Sequence, residues 1–90
     1  MSQSLATEKT SLDRELLILG CGGHSKVVTE IAEAVGFKRI SYLDPFYKNK
    51  TFLQRKVYKI IEEEYKGSFV VAVADNFIRE KIYNQFLKEN

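Results

Sequence analysis

Leu16-Leu17-Ile18-Leu19-Gly20-Cys21-Gly22-Gly23-His24-Ser25-Lys26-Val27-Val28 is the stretch on which the fold turns. Beginning at Glu15, four consecutive apolar residues describe a short strand buried on both faces, the condition of strands in parallel sheets. Gly20 stops it. From His24 the period becomes helical: Val27, Ile31 and Val35 recur every four residues with Val28 and Ala32 beside them, while Lys26, Glu30 and Glu33 fall on the other side. Gly36 stands where a left-handed cap would close a helix over Ser25 to Val35. Strand, glycine-rich turn and helix in direct succession form the opening unit of a parallel α/β fold.

Beyond the helix, Arg39-Ile40-Ser41-Tyr42-Leu43 is β-branched and aromatic, and it ends at Asp44-Pro45, where proline removes a ladder donor. Residues 46–54 lack a period and read as loop. Leu53, Val57, Ile61 and Tyr65 then repeat at four, with Ile60 adjacent and Gly67 as a cap. That favours a helix ending near Lys66, although Lys56 to Lys59 could equally pair as a strand edge. Phe69-Val70-Val71-Ala72-Val73-Ala74 is a further apolar strand. Asp75 or Asn76 is placed to cap a last helix whose inner face is Ile78, Ile82 and Phe86, with Tyr83 and Leu87 at its flank.

The sum is an α/β, Rossmann-like βαβαβα fold: a three-stranded parallel sheet with helices on both faces. The order 2-1-3 is favoured over 3-2-1, because the 39–43 segment is polar at its ends, as an edge strand should be. The 15–19 strand is then central. Residues 1–14 are polar and rich in Ser and Thr, so they are expected to form a disordered leader before a single domain over 15–90.

Ninety residues with 14 Lys and Arg against 12 Asp and Glu carry a net charge of only +2, which is weak ground for a polyanion-binding groove. Nucleic acid is not an expected partner. A single cysteine and a single histidine allow no intramolecular disulfide and no zinc cluster. With no apolar stretch of about 20 residues and no secretory signal, a cytoplasmic protein without membrane insertion is expected.

In the favoured order the winding reverses between the first and third strands, and open α/β sheets bind ligands at such a switch point, beyond the carboxyl ends of the strands. The loops there are Gly20 to Ser25 and Ala74 to Asn76. Gly20 permits a tight turn with positive φ, Gly22 lets a diphosphate approach the backbone, and the free amides at the helix start face the anion. Ser25 takes the place of the third glycine of a dinucleotide fingerprint. Asp44, nineteen residues past Ser25, stands where an NAD-binding domain holds the ribose hydroxyls, or is simply a solvated carboxylate. His24 lies at a helix N-terminus, which disfavours imidazolium, and no second catalytic group stands beside it, so no catalytic residue is assigned. Cys21 reads as a small packing residue, and Glu62-Glu63-Glu64 as a solvated helix face.

The segments Leu17 to Val28, Tyr42-Leu43-Asp44 and Val71-Ala72-Val73-Ala74-Asp75-Asn76, followed by Arg79 and Ile82-Tyr83, resemble the N-terminal domain of bacterial sugar O- and N-acyltransferases. That group contains sialic-acid O-acetyltransferases and UDP-4-amino-sugar N-acetyltransferases of glycan biosynthesis. The resemblance runs from about Glu15 to the C-terminus and implies a nucleotide-sugar-binding domain, with a UDP-sugar expected. It implies that Gly20, Gly22, Gly23 and His24 shape the phosphate side and that Asp44, Asp75 and Asn76 line the site. Pro45, Ala74 and Ser25 depart from the family pattern, and the Ala74 side chain would narrow the crevice. In such relatives a C-terminal left-handed β-helix binds acetyl-CoA and supplies the catalytic histidine. No hexapeptide repeats occur here, so the chain is expected to bind no cofactor and to be inactive alone, with that domain acting in cis or in trans. Two alternatives stand beside this reading. One is a protein-interaction module with a degenerate pocket and an aromatic surface of Phe46, Tyr47 and Phe52; the other is a partial NAD(P)-binding domain.

Overall fold

The computed structural model describes residues 15–89, and the expected leader lies outside them. Strand β1 (Glu15–Leu19) pairs in parallel along its whole length with β2 (Arg39–Leu43), and on its other side with β5 (Ser68–Val71). These three strands stand in the expected order with β1 central. The sheet nevertheless has five strands, because β3 (Thr51–Phe52) and β4 (Arg55–Tyr58) extend it beyond β2 in the order β3-β4-β2-β1-β5. It is mixed rather than parallel throughout, since β3 and β4 pair antiparallel.

Two corrections follow from that hairpin. The expected helix ending near Lys66 does not form, and β2 is not an edge strand. Lys56, Val57 and Tyr58 alternate across the sheet instead of lining one helical face: Val57 is buried with Phe52 on one side, while Tyr58 packs with Ile61 and Tyr65 on the other. The apparent period of four joined residues belonging to opposite faces. β4 pairs in parallel with the otherwise open side of β2, Tyr42 opposite Val57 and Leu43 opposite Tyr58. Leu53 and Gln54 both have positive φ, the condition of a two-residue hairpin turn of type I′, which breaks any helix there. Gly67 is not a helix cap. A Cβ at this position would meet the Tyr65 ring and the Glu15 carbonyl, so its absence admits the Tyr65 hydroxyl, which donates to the Glu15 and Ser68 carbonyls.

Helices α1 (Gly23–Val35) and α2 (Asn76–Glu89) cover opposite faces. Leu16 and Ile18 share a cluster with Ala32, whereas Leu17 and Leu19 share one with Phe86. Gly36 closes α1 in the left-handed conformation, its N–H donating to the Ala32 and Glu33 carbonyls. The expected inner face of α1 is wrong, however. Ser25, Thr29 and Ala32 are the buried residues, and Val27, Ile31 and Val35 are about half exposed. The reason is a polar seam. Thr29 Oγ1 donates to the Ser25 carbonyl and lies 2.7 Å from the Tyr42 hydroxyl, and Tyr42 is fully buried. With the single Thr29 proton already committed, Tyr42 must be the donor of that bond. In α2, Phe86 is buried and Ile82 packs beside it, but Ile78 is exposed. Among the described residues no helix is long and apolar enough to cross a membrane.

The seam has a measurable consequence. Thr29→Val leaves the buried Tyr42 hydroxyl without an acceptor and should cost about 1–3 kcal/mol in urea denaturation, and adding Tyr42→Phe should recover much of the loss. Replacing Leu53-Gln54 by Asn-Gly should raise stability by about 1 kcal/mol, because those residues adopt positive φ with less strain and Leu53, 41% exposed, is not part of the core.

Candidate functional site

At the end of β1 the chain turns at Gly20, whose φ is 116° and whose position would bring a Cβ to 3.3 Å from the Ala72 carbonyl oxygen. The turn is therefore pressed against the exit of β5. Ser25 braces it from beneath. Its fully buried hydroxyl donates to the Gly20 carbonyl at 2.7 Å and accepts from the Gly22 amide at 3.1 Å. Ser25 is thus a positioning residue of the turn. Asp44 ties the turn to the exit of β2: one carboxylate oxygen accepts from the Cys21 amide and the other from the Phe46 amide, each at 3.0 Å.

These bonds leave a defined remainder. Gly23 and His24 are the first residues of α1, so their amides have no intrahelical acceptor, and among the described residues nothing else accepts from them. Both are exposed, and no atom lies within 4 Å of where a Cβ would stand on Gly22 or Gly23. An open backbone, two free N–H groups and the positive end of the helix dipole coincide there.

Ala74, Asp75 and Asn76 follow the β5 exit. Asp75 is the cap of α2, accepting from the Ile78 amide at 3.0 Å, and Asn76 accepts from the Arg79 guanidinium, which also reaches the Val73 carbonyl. All three residues are exposed. Between the exits of β1 and β2 and the α2 face lies a cleft of about 470 Å³. Of the residues proposed from sequence, Gly20 and Asp44 line it, joined by Phe46, Val73, Ile82 and Phe86. Gly22 to Ser25 and Ala74 to Asn76 do not.

A larger cleft of about 690 Å³ lies where the missing helix would have covered the sheet. Glu62, Glu63 and Glu64 line it together with Glu15, so these glutamates are not a helix face. Four carboxylates against Lys56 and Lys66 leave it net negative and a poor receiver of phosphate.

Cys21 packs beside the core cluster of β1 and α1, and burial pushes its thiol up to about 11, with Asp44 adding to the rise and Lys59 opposing it. Lys59 was not legible as a site neighbour. Its ammonium donates to the Tyr47 carbonyl and to the Asn49 carbonyl at 2.9 Å, pinning the loop after β2. The aromatic surface expected at Phe46, Tyr47 and Phe52 does not exist as such. Phe52 is buried against Tyr42 and Tyr47, both edge-on, and Phe46 alone is 91% exposed.

Residues 15–86 match the family model of the PglD N-terminal domain. The chain belongs to that family. The match begins at β1 and ends within α2, so the glycine turn, Asp44 and the β5 exit are all parts of the family domain. Searches of curated proteins and of solved structures return no significant match.

In this PglD N-terminal domain, Gly20→Ala should destabilise by about 1–3 kcal/mol, because it forces an L side chain into positive φ against Ala72. Gly22→Ala meets nothing and should cost less than about 1 kcal/mol; thermal denaturation of the pair separates the two roles. The Cys21 thiol holds its proton more tightly folded than unfolded. Its contribution to stability is therefore complete below pH 9.0 and declines as pH rises toward about 11. Alkylation of Cys21 at pH 8 should be about tenfold or more slower in the native chain than in urea.

Proposed function

We propose that this domain binds a nucleotide-sugar, with a UDP-sugar as the expected class, in support of sugar acyl transfer. The observation that carries the reading is the pair of unpartnered amides at Gly23 and His24 beside an open Gly22, held in place by Ser25 and Asp44. A diphosphate needs such a surface and no basic patch, because backbone N–H groups and the helix dipole supply the donors and the field.

In this reading the diphosphate lies over Gly22, Gly23 and His24. Asp44 keeps lone pairs beyond its two backbone bonds and faces the cleft, so it can accept from the ribose hydroxyls. The His24 side chain, exposed at the helix start, is a contact rather than an acid or base. Ala74, Asp75 and Asn76 border the site from the β5 exit with their own polar groups largely engaged within α2. Acetyl-CoA and the catalytic β-helix belong to the same proposal as partners of the bound sugar, in cis or in trans. The domain's own task is to hold the acceptor. No chemical step is assigned to it.

Calorimetric titration of the purified chain with UDP and with UDP-amino-sugars tests this directly. A saturable 1:1 heat at or below millimolar ligand is expected, weakened in Gly22→Ala without loss of fold. Absence of any heat with every UDP ligand at millimolar concentration would overturn the reading.

A further inference from the structure

The cleft of about 470 Å³ falls within the roughly 300–1,000 Å³ of small-molecule sites and is walled mainly by apolar side chains. Leu19 and Leu43 close the strand ends, α2 contributes Ile82 and Phe86, and the exit of β2 contributes Phe46. Phe46 is the most exposed of the large hydrophobic residues, at 91%. A phenyl ring left in water forgoes burial, and the backbone that presents this one is held. The Phe46 amide donates to Asp44 at 3.0 Å, the Tyr47 amide donates to the Asp44 carbonyl at 3.3 Å, and Lys59 clamps the Tyr47 and Asn49 carbonyls just beyond. Pro45 restricts the backbone before it. The backbone that carries Phe46 is thus held at a fixed place on the rim of an apolar cleft, next to the carboxylate that lines the same cleft.

We infer that Phe46 is a stacking platform for the nucleobase of the bound nucleotide, with the base seated in the cleft between the β2 exit and α2. This rests on the nucleotide reading above and extends it to the part of the ligand farthest from the phosphates. A planar base offers a π-face of the right size, is apolar on its faces, and is covalently tied through ribose to the phosphates that the turn receives. Base–aromatic stacking tolerates any base, so Phe46 supplies affinity for nucleotides over simple phosphates. The polar groups on the far wall are Gln85 and Glu89, spaced one helical turn apart on α2 and within 3.4 Å of each other. They are the side chains available to the edge of a base held there.

Dissociation constants of UDP, GDP, ADP and inorganic pyrophosphate, measured by calorimetry for the native chain, Phe46→Ala and Phe46→Trp, test the proposal. The exposed position of Phe46 should leave the fold of both variants unaffected, which circular dichroism checks. Phe46→Ala should weaken the tightest-binding nucleotide by about tenfold or more, leave pyrophosphate unchanged, and be reversed by Phe46→Trp. Equal nucleotide affinity in the native chain and Phe46→Ala overturns the role of Phe46 and leaves nucleotide binding standing. Pyrophosphate bound as tightly as every nucleotide also overturns it. Failure of the native chain to bind any of the four ligands removes the nucleotide reading and this proposal together.

Discussion

One carboxylate joins the two halves of the site. Asp44 accepts the Cys21 amide from the glycine turn and the Phe46 amide from its own loop, so one side chain ties the turn after β1 to the loop after β2, just beyond the backbone bond from the Gly20 amide to the Leu43 carbonyl. A charge-assisted bond to a backbone amide is stronger than a neutral one, and here two of them share one acceptor group. Without it the turn would retain Ser25 beneath and the Gly20–Leu43 backbone bond but lose the tie at Cys21, and Phe46 would lose the bond that sets its backbone. Asp44 thereby does by hydrogen bonding what its spacing suggested it would do by touching a ribose, and its remaining lone pairs leave room for both.

Beneath that carboxylate, polar contacts decide how α1 sits. A helix with Val27, Ile31 and Val35 on one stripe would be expected to bury them, yet the sheet receives Ser25, Thr29 and Ala32 instead. Small residues allow close approach, and the bonds of Ser25 to the turn and of Thr29 to Tyr42 fix the rotation. Burying the valine stripe would pull Ser25 out of the turn it braces and would strand the Tyr42 hydroxyl. The cost of an unsatisfied buried hydroxyl is comparable with the gain from burying a branched side chain, so the specific bonds prevail.

Much of this was legible in the residues. The apolar run ending at Gly20, the helix closing at Gly36, the second strand ending at Asp44 and the cap at Asp75 all carry local chemistry that needs no tertiary context. The hairpin of β3 and β4 was legible only as the alternative that Lys56 to Lys59 pair as a strand edge, because its turn residues, Leu53 and Gln54, lack the Asn-Gly signature and its strands are only two and four residues long. The period from Leu53 to Tyr65 looked helical only because residues from two sheet faces happened to fall four apart. At the site, the glycines and Asp44 were readable from their spacing. The bracing bonds of Ser25 lie within five residues and were hidden by its reading as a replaced glycine, whereas the clamp at Lys59 and the outward Phe46 depend on how the loop after β2 is held, which no local pattern encodes.

The amides left free at the start of α1 are the ones proposed to take up a nucleotide diphosphate. Amide-resolved NMR of the chain titrated with UDP tests this most directly. The Gly23 and His24 resonances should move first and farthest, with the Cys21 amide still held by Asp44. Shifts centred instead on residues 60–66, or none at saturating ligand, would contradict it.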